Sequence, residues 1–280
     1  LMLLVRALSG LGAAALSVSL AAVGDYFPPR RRGAAVGVVV GLSATSGTLF
    51  VPLTGALADL AGWRSALAAL GLVAAAVSLL TSRLPATTSS AAPLARLPRG
   101  AGWYYLCQVL GSSQYNGTFT YFGAFLASRY HLSTGTVSLI YGLGGLGFFA
   151  GSVLTGRTLP PHARLLFIAL VGAGSIVPLA LMFGAWHLGL TIALVAAFTA
   201  LRGGIVAALY GATGDLDPGR RGMLLSLAQA ASQLGIWLGA TAGGAAVAQG
   251  GYAWLTGTVC TLALAAALSA LAATYKRTRV

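Results

Sequence analysis

Along this chain apolar positions come in long runs broken by short polar segments, not in the alternation that marks a half-exposed strand or helix. An α-helix rises about 1.5 Å per residue, so about 20 consecutive apolar residues cross a bilayer. A window of about 19 residues predicts nine such helices, near 2–24, 34–58, 64–83, 102–128, 134–156, 163–184, 187–212, 222–248 and 252–275. The first carries no charged leader and no small-residue cleavage site, so it reads as a membrane helix and not as a signal peptide. The predicted fold is an all-α integral membrane protein. A Pro-, Ser- and Thr-rich linker, residues 84–101, separates three helices (1–83) from six (102–280).

Composition agrees with this reading: 57% of the residues are hydrophobic, 8% are charged, and mean hydropathy is +0.84. Soluble domains carry about a quarter charged residues. A net charge of +13 raises the question of nucleic acid, but the basic residues form no patch interleaved with aromatics. They sit at span ends, where lipid headgroups are the partner. Cys107 and Cys260 fall inside apolar segments without metal-ligand spacing. No metal, cofactor or nucleic-acid partner is expected.

Basic residues also set the predicted orientation. Arg30–Arg32, Arg96, Arg99, Arg157, Arg164, Arg220, Arg221, Lys276, Arg277 and Arg279 fall in alternate loops and the tail, whereas the opposite loops hold Arg64 and Arg129. The positive-inside bias puts the C-terminus in the cytoplasm of an inner-membrane, multi-pass protein. Residue 1 then starts outside.

The chain repeats itself. GDYFPPRRRG at 24–33 and GDLDPGRRG at 214–222 hold three of its four acidic residues. Shifted by 189 positions, Arg32-Gly33 falls on Arg221-Gly222, Ser43 on Ser232, Gly55 on Gly244 and Gly62-Trp63 on Gly251-Tyr252. Both copies run helix, charged loop, glycine-rich helix, aromatic turn, helix, which marks an internal duplication. A twelve-helix bundle of two halves, met from its fourth helix onward, accounts for the nine spans and the linker together. It predicts about three further helices' worth of sequence upstream.

These features resemble the major facilitator superfamily, and in particular its drug:proton antiporter and sugar-efflux branch. Segment RALSGLGAA, from Arg6 through Gly10, is similar to that family's fourth-helix motif, with Ser9 where members often carry Gln. Gly47, Pro52 and Gly55 keep the spacing of its antiporter motif, with Val51 and Ala56 at two of the motif's glycines, and Trp63-Arg64 resembles its WR pair. The resemblance implies a proton-coupling or anion-attracting role in the central cavity for Arg6, with Gly10 beside it. It also implies a bent, cavity-sealing helix at Gly47, Pro52 and Gly55. Snorkelling of Arg6 to headgroups and simple packing at Pro52 are the competing readings.

Helix 102–128 carries the polar run SSQYNGTFTY. Gln108, Ser112, Gln114, Tyr115, Asn116 and Tyr121 are candidate substrate contacts, with interhelical hydrogen bonding as the alternative. Gln229, Ser232, Gln233 and Trp237 share one helix face, making Gln229 and Gln233 further candidates. Arg202 is a second charge inside a span, with no motif around it. Gly142, Gly144 and Gly147 spell a dinucleotide fingerprint, but within an apolar helix. Gly147 and Gly151 are better read as a GxxxG packing pair.

The histidines lie in separate loops, and no nucleophile–base pair is visible, so an enzyme is not expected. The expected function is secondary transport by alternating access. A monomer would export a small amphipathic or sugar-like solute in exchange for protons. Nutrient uniport or symport, and a non-transporting scaffold, are the alternatives. The duplicated loops would meet in the cytoplasm, where Asp25 and Asp215 could pair across the halves with Arg221 and Arg32 as a gate. A plain turn with headgroup contacts is the competing reading.

Overall fold

The computed structural model describes residues 15–82, 97–184 and 186–277. Helices α1 (Ala15–Tyr26), α2 (Pro29–Ala61) and α3 (Trp63–Thr81) precede the linker. Helices α4 (Ala101–Tyr130), α5 (Thr134–Thr158), α6 (Arg164–Gly174), α7 (Ile176–Met182), α8 (Leu188–Gly214) and α9 (Arg221–Arg277) follow it. Short 3-10 turns at Pro161–Ala163 and Pro218–Arg220 are the remaining regular elements among the described residues.

Among the described residues, five stretches are apolar and long enough to cross a membrane: Trp63–Leu80, Thr134–Thr158, Pro161–Met182, Leu188–Gly214 and Pro218–Tyr275. Helix α4, 30 residues long, falls short of that hydropathy through its polar run at 112–121. The last stretch belongs to a helix of 57 residues, which would reach about 85 Å if straight. Gly250 and Gly251 leave helical geometry and divide it into two arms, 221–249 and 252–277. Gly251 has φ 68°, a left-handed conformation open to glycine at little cost.

Gly62, the position 189 residues earlier, has φ 82° and separates α2 from α3. The two sequence copies therefore turn at equivalent glycines. Pro29 opens α2, where its missing N–H and fixed φ suit the first helical position. Helix α2 then runs unbroken through Pro52 to Ala61.

Small residues decide how closely the helices pack. A Cβ on Gly151 or Gly203 would strike the backbone of the facing helix, at Ala200 and Phe148 respectively, so α5 and α8 touch backbone to backbone. This is the close packing expected of the Gly147/Gly151 pair. Helix α4 meets the first arm of α9 in the same way, with Gly235 against Val109 and Gly239 against Ser113.

Among the described residues, three clusters of buried apolar side chains result. One is aromatic, around Phe122, Phe125, Phe183 and Phe198. A second joins α4, α6, α8 and the far arm of α9 through Tyr104, Ile168, Leu209 and Ala270. The third crosses between the two groups of helices, joining Leu20 and Val23 of α1, Val36 and Val40 of α2, Phe148 of α5, Tyr210 of α8 and Leu225 of α9. By contrast α3 is almost bare, with 6% of its apolar window buried. An apolar helix so exposed is at home in lipid, not in water.

Candidate functional site

The two groups of helices meet most tightly at the end that carries Arg32, Arg164 and Arg221. There Gly33, Gly37 and Gly41 recur every fourth residue and so form one stripe along α2. A Cβ on Gly33 would lie 2.7 Å from the Gly156 carbonyl oxygen, and one on Gly37 would lie 2.5 Å from that of Ser152. Reciprocally, a Cβ on Gly156 would lie 2.9 Å from the Gly37 Cα. Helices α2 and α5 therefore touch through their backbones, and the third cluster closes the space beside them.

Around this seam the charged loops assemble. Asp215, at the end of α8, accepts from Arg164 Nη1 at 2.5 Å and from Arg221 Nη2 at 3.4 Å. Arg221 Nε also donates to the Gly214 carbonyl at 3.0 Å. Arg164, Asp215 and Arg221 line a cavity of about 120 Å³ together with Arg32. Arg32 Nη2 itself reaches the Phe27 carbonyl at 3.5 Å. Asp215 thus takes its partners from its own half, while Arg32 faces the same cavity from the other. Asp25 lies one residue before the end of α1. In the same loop Asp217 accepts from Arg220, and this bond holds its carboxyl below the usual value of 3.8.

Moving away from the arginine-rich end, the helices part. A cavity of about 750 Å³ opens there, lined by Tyr115 and Phe119 of α4, Val137, Ser138, Tyr141 and Phe148 of α5, and Ala44 of α2. It extends along α5 from Phe148 to Thr134, about 20 Å at helical rise. Phe148 belongs both to the sealed cluster and to the cavity wall, so it forms the boundary between them.

The wall is aromatic. Tyr115 and Phe119 have ring centroids 4.7 Å apart, Tyr115 and Phe148 6.0 Å, and Phe119 and Tyr141 5.4 Å. Tyr141 donates its hydroxyl to the Phe119 backbone carbonyl at 2.6 Å, which holds the Tyr141 ring in place. Such a surface takes an apolar or aromatic body, with the few hydroxyl groups available for polar contact.

The residues expected from sequence to contact substrate divide. Tyr115 lines the large cavity, and Gln114 a small one of about 20 Å³ within the C-terminal half. Ser112 bonds Ser232 at 2.9 Å, Asn116 donates to the Ser112 carbonyl, and Tyr121 donates to the Ala240 carbonyl at 2.7 Å. Gln229 accepts from Tyr210 at 2.6 Å, whereas Gln233 is exposed on α9. Gln108 is buried with its Oε1 free of any partner among the described residues.

Gly47, Pro52 and Gly55 lie in α2. Arg6 and Gly10 lie outside the described residues. Phe119, Tyr141 and Phe148 were not singled out in sequence, because single aromatics in an apolar helix carry no pattern. The glycine stripe of α2 was not singled out either, although its four-residue spacing is present in the sequence.

Comparison with solved structures finds this architecture elsewhere. The human organic anion transporter MFSD10 superimposes with a TM-score of 0.74 at 16% identity, over 91% of this chain and 67% of that one. A bacterial homologue of the iron transporter ferroportin, in an outward-facing state, gives 0.64 at 16% identity over 93% and 68%. The Major Facilitator Superfamily transporter FucP, in an outward conformation, gives 0.65 at 12% over 92% and 72%. A comparison with curated protein sequences finds no match. The sequence model of the Major Facilitator Superfamily matches residues 1–218. This chain belongs to the Major Facilitator Superfamily and is a membrane transport protein, not an enzyme.

Proposed function

We propose that the chain is a secondary transporter that exports a small amphipathic solute, by alternating access and in exchange for protons. The observation that carries this is the contrast between its two ends. One is closed by glycine backbone contacts and the cross-half cluster, and the other opens through an aromatic cavity of about 750 Å³. In this reading the arginine-rich end faces the cytoplasm of a bacterial inner membrane, with the C-terminus on the same side. The excess of arginines in these loops supports that orientation. The state is then open to the outside, like the outward states of the two neighbours named above.

The duplication around Gly62 and Gly251 supports reading the helices as nine, the fourth to twelfth of a two-half bundle. The halves would be residues 1–83 and 102–280, joined by a cytoplasmic linker. Tyr115, Phe119, Tyr141 and Phe148 would hold the solute's apolar body, with Asn116 and Gln233 as polar contacts from helices that keep some exposure. Ser112, Tyr121 and Gln229 would hold the helices that shape this cavity through their hydrogen bonds, and Gln108 and Gln114 keep the polar-contact role read from the sequence. Asp25, Arg32, Asp215 and Arg221 would form the cytoplasmic gate, with Arg164 bracing Asp215. Arg6 and Gly10 keep the coupling role, and Gly47, Pro52 and Gly55 the sealing role, that their resemblance implies. The transporter would work as a monomer.

The test is solute-dependent proton movement in everted vesicles or proteoliposomes carrying the protein. Proton release on addition of a transported solute supports exchange. Solute flux without proton movement would replace antiport by uniport, and no flux across a broad panel of amphipathic and sugar-like solutes would remove the export reading.

A further inference from the structure

The arginine-rich end carries more positive charge than its own acids balance. Arg30–Arg32, Arg157, Arg164, Arg220 and Arg221 gather there against Asp25, Asp215 and Asp217, seven guanidiniums against three carboxylates. Arg30, Arg31 and Arg157 are exposed, so water and salt screen them. Arg164 and Arg221 are each only 9% exposed. Burial makes the balance of charge around these two matter more.

Together with Arg32 they line the cavity of about 120 Å³ at the seam, and Asp215 is the one acid among the lining residues. Asp215 already gives one oxygen to each buried arginine, Oδ2 to Arg164 and Oδ1 to Arg221. Glycines make room for the guanidiniums. A Cβ on Gly211 of α8 would lie 3.0 Å from Arg164 Cζ, and one on Gly33 of α2 would lie 3.5 Å from its Nη2. Arg164 is thus held between the two groups of helices. A Cβ on Gly214 would lie 3.1 Å from Arg221 Nε. The cavity has buried Leu20 and Leu225 on its inner wall and exposed Pro161 at its outer one. It is therefore a recess with a mouth at the arginine-rich end.

Three guanidiniums facing one carboxylate leave this recess with a double positive excess. Water can fill it but brings no charge to offset their mutual repulsion. A phosphate group takes roughly two to three water volumes of about 30 Å³ each, so the recess has room for it. Its oxygens point in several directions, which suits guanidiniums that converge from different helices, and arginine pairs with phosphate through two hydrogen bonds at once.

We propose that Arg32, Arg164 and Arg221 hold a phosphate group in this cavity, supplied by an anionic lipid headgroup or by free phosphate. Bound there, it joins Arg32 of α2 to Arg164 and Arg221 across the seam. The binding rests on the cavity alone, whereas its consequence, a firmer hold on the closed end, rests on the alternating-access reading.

The experiment melts the purified full chain in a maltoside detergent at fixed pH and ionic strength. One arm compares inorganic phosphate with chloride, and the other compares micelles containing phosphatidylglycerol with micelles containing phosphatidylcholine, without free phosphate. With ligand about tenfold above Kd, the melting temperature should rise by about 3 °C in at least one arm. A rise with inorganic phosphate assigns the site to phosphate from solution, and a rise with phosphatidylglycerol alone assigns it to a headgroup. Arg32→Gln should abolish the rise and Arg32→Lys should keep part of it. Arg31→Gln, at an exposed neighbour outside the cavity lining, should keep all of it. If Arg32→Gln fails to fold, Arg32→Lys against Arg31→Lys decides, because only the first should shrink the rise. No rise in either arm, or equal losses at positions 31 and 32, would overturn the site. Solute flux is not read in either arm, so this proposal and the export reading fail separately.

Discussion

Gly37 of α2 and Ser152 of α5 approach so closely that a Cβ on Gly37 would lie 2.5 Å from the Ser152 carbonyl oxygen. Neither backbone can yield without moving its whole helix. Gly37→Ala should therefore pry the arginine-rich end apart, at a cost of about 1–3 kcal/mol to the closed arrangement. Gly71→Ala in α3 is the control, because nothing lies within 4 Å of its Cβ position, and it should be neutral or stabilising by up to about 1 kcal/mol. Thermal melting of the two variants in detergent separates these outcomes.

Gly251 offers a second comparison of glycines. With φ 68°, alanine there should cost about 1–2 kcal/mol by forcing a left-handed conformation. Gly257 lies six residues on in the far arm of α9, with open space at its Cβ position. Gly257→Ala should melt at or above the parent temperature. The equivalent change at Gly62, φ 82°, should match Gly251→Ala if the repeat copies carry the same turn.

Asp215 compensates two guanidiniums at once. Asp215→Asn keeps the shape but leaves Arg164 and Arg221, both buried, without their carboxylate. The loss should be about 2 kcal/mol, the scale of a hydrogen bond to a charged group. Asp217→Asn breaks only an i,i+3 pair in the loop and should cost under about 1 kcal/mol. The pair of melting curves ranks them.

Ser138 is half-buried on the wall of the large cavity. Ser138→Trp would fill much of that space while leaving the sealed cluster untouched. Transport should fall at least about tenfold, the factor that 1.4 kcal/mol of lost binding produces, with an unchanged melting temperature. Flux in proteoliposomes together with a melting curve checks both halves of the prediction.

Much of the fold was legible in sequence because membrane helices declare themselves by length and hydropathy. Pro29, Gly62 and Gly251 mark element boundaries through backbone chemistry that local sequence carries. The four-residue spacing of Gly33, Gly37 and Gly41 is present in the sequence but went unread, because the sequence does not show its partner helix. Nothing local tells Gly37 that Ser152 will face it. The same limit explains the cavity. Helix α4 stood out by its polar run, yet Ser112, Asn116 and Tyr121 use their hydrogen bonds on helix contacts. Of the wall, Tyr115 stood out in sequence, whereas Phe119, Tyr141 and Phe148 resemble every other aromatic in an apolar helix. Arg164 read as one more topological charge, and only the fold brings it to Asp215.

Alternating access is the central claim, and the distance between paired spin labels at the two ends tests it most directly. Exposed Arg31 and Arg157 report the arginine-rich end, and exposed Leu53 and Thr136 report the other. Each pair would be replaced by cysteine in a background lacking Cys107 and Cys260. On addition of a transported solute, the Arg31–Arg157 distance should lengthen and the Leu53–Thr136 distance should shorten. Two distances that stay fixed, or that move in the same sense, would contradict the account.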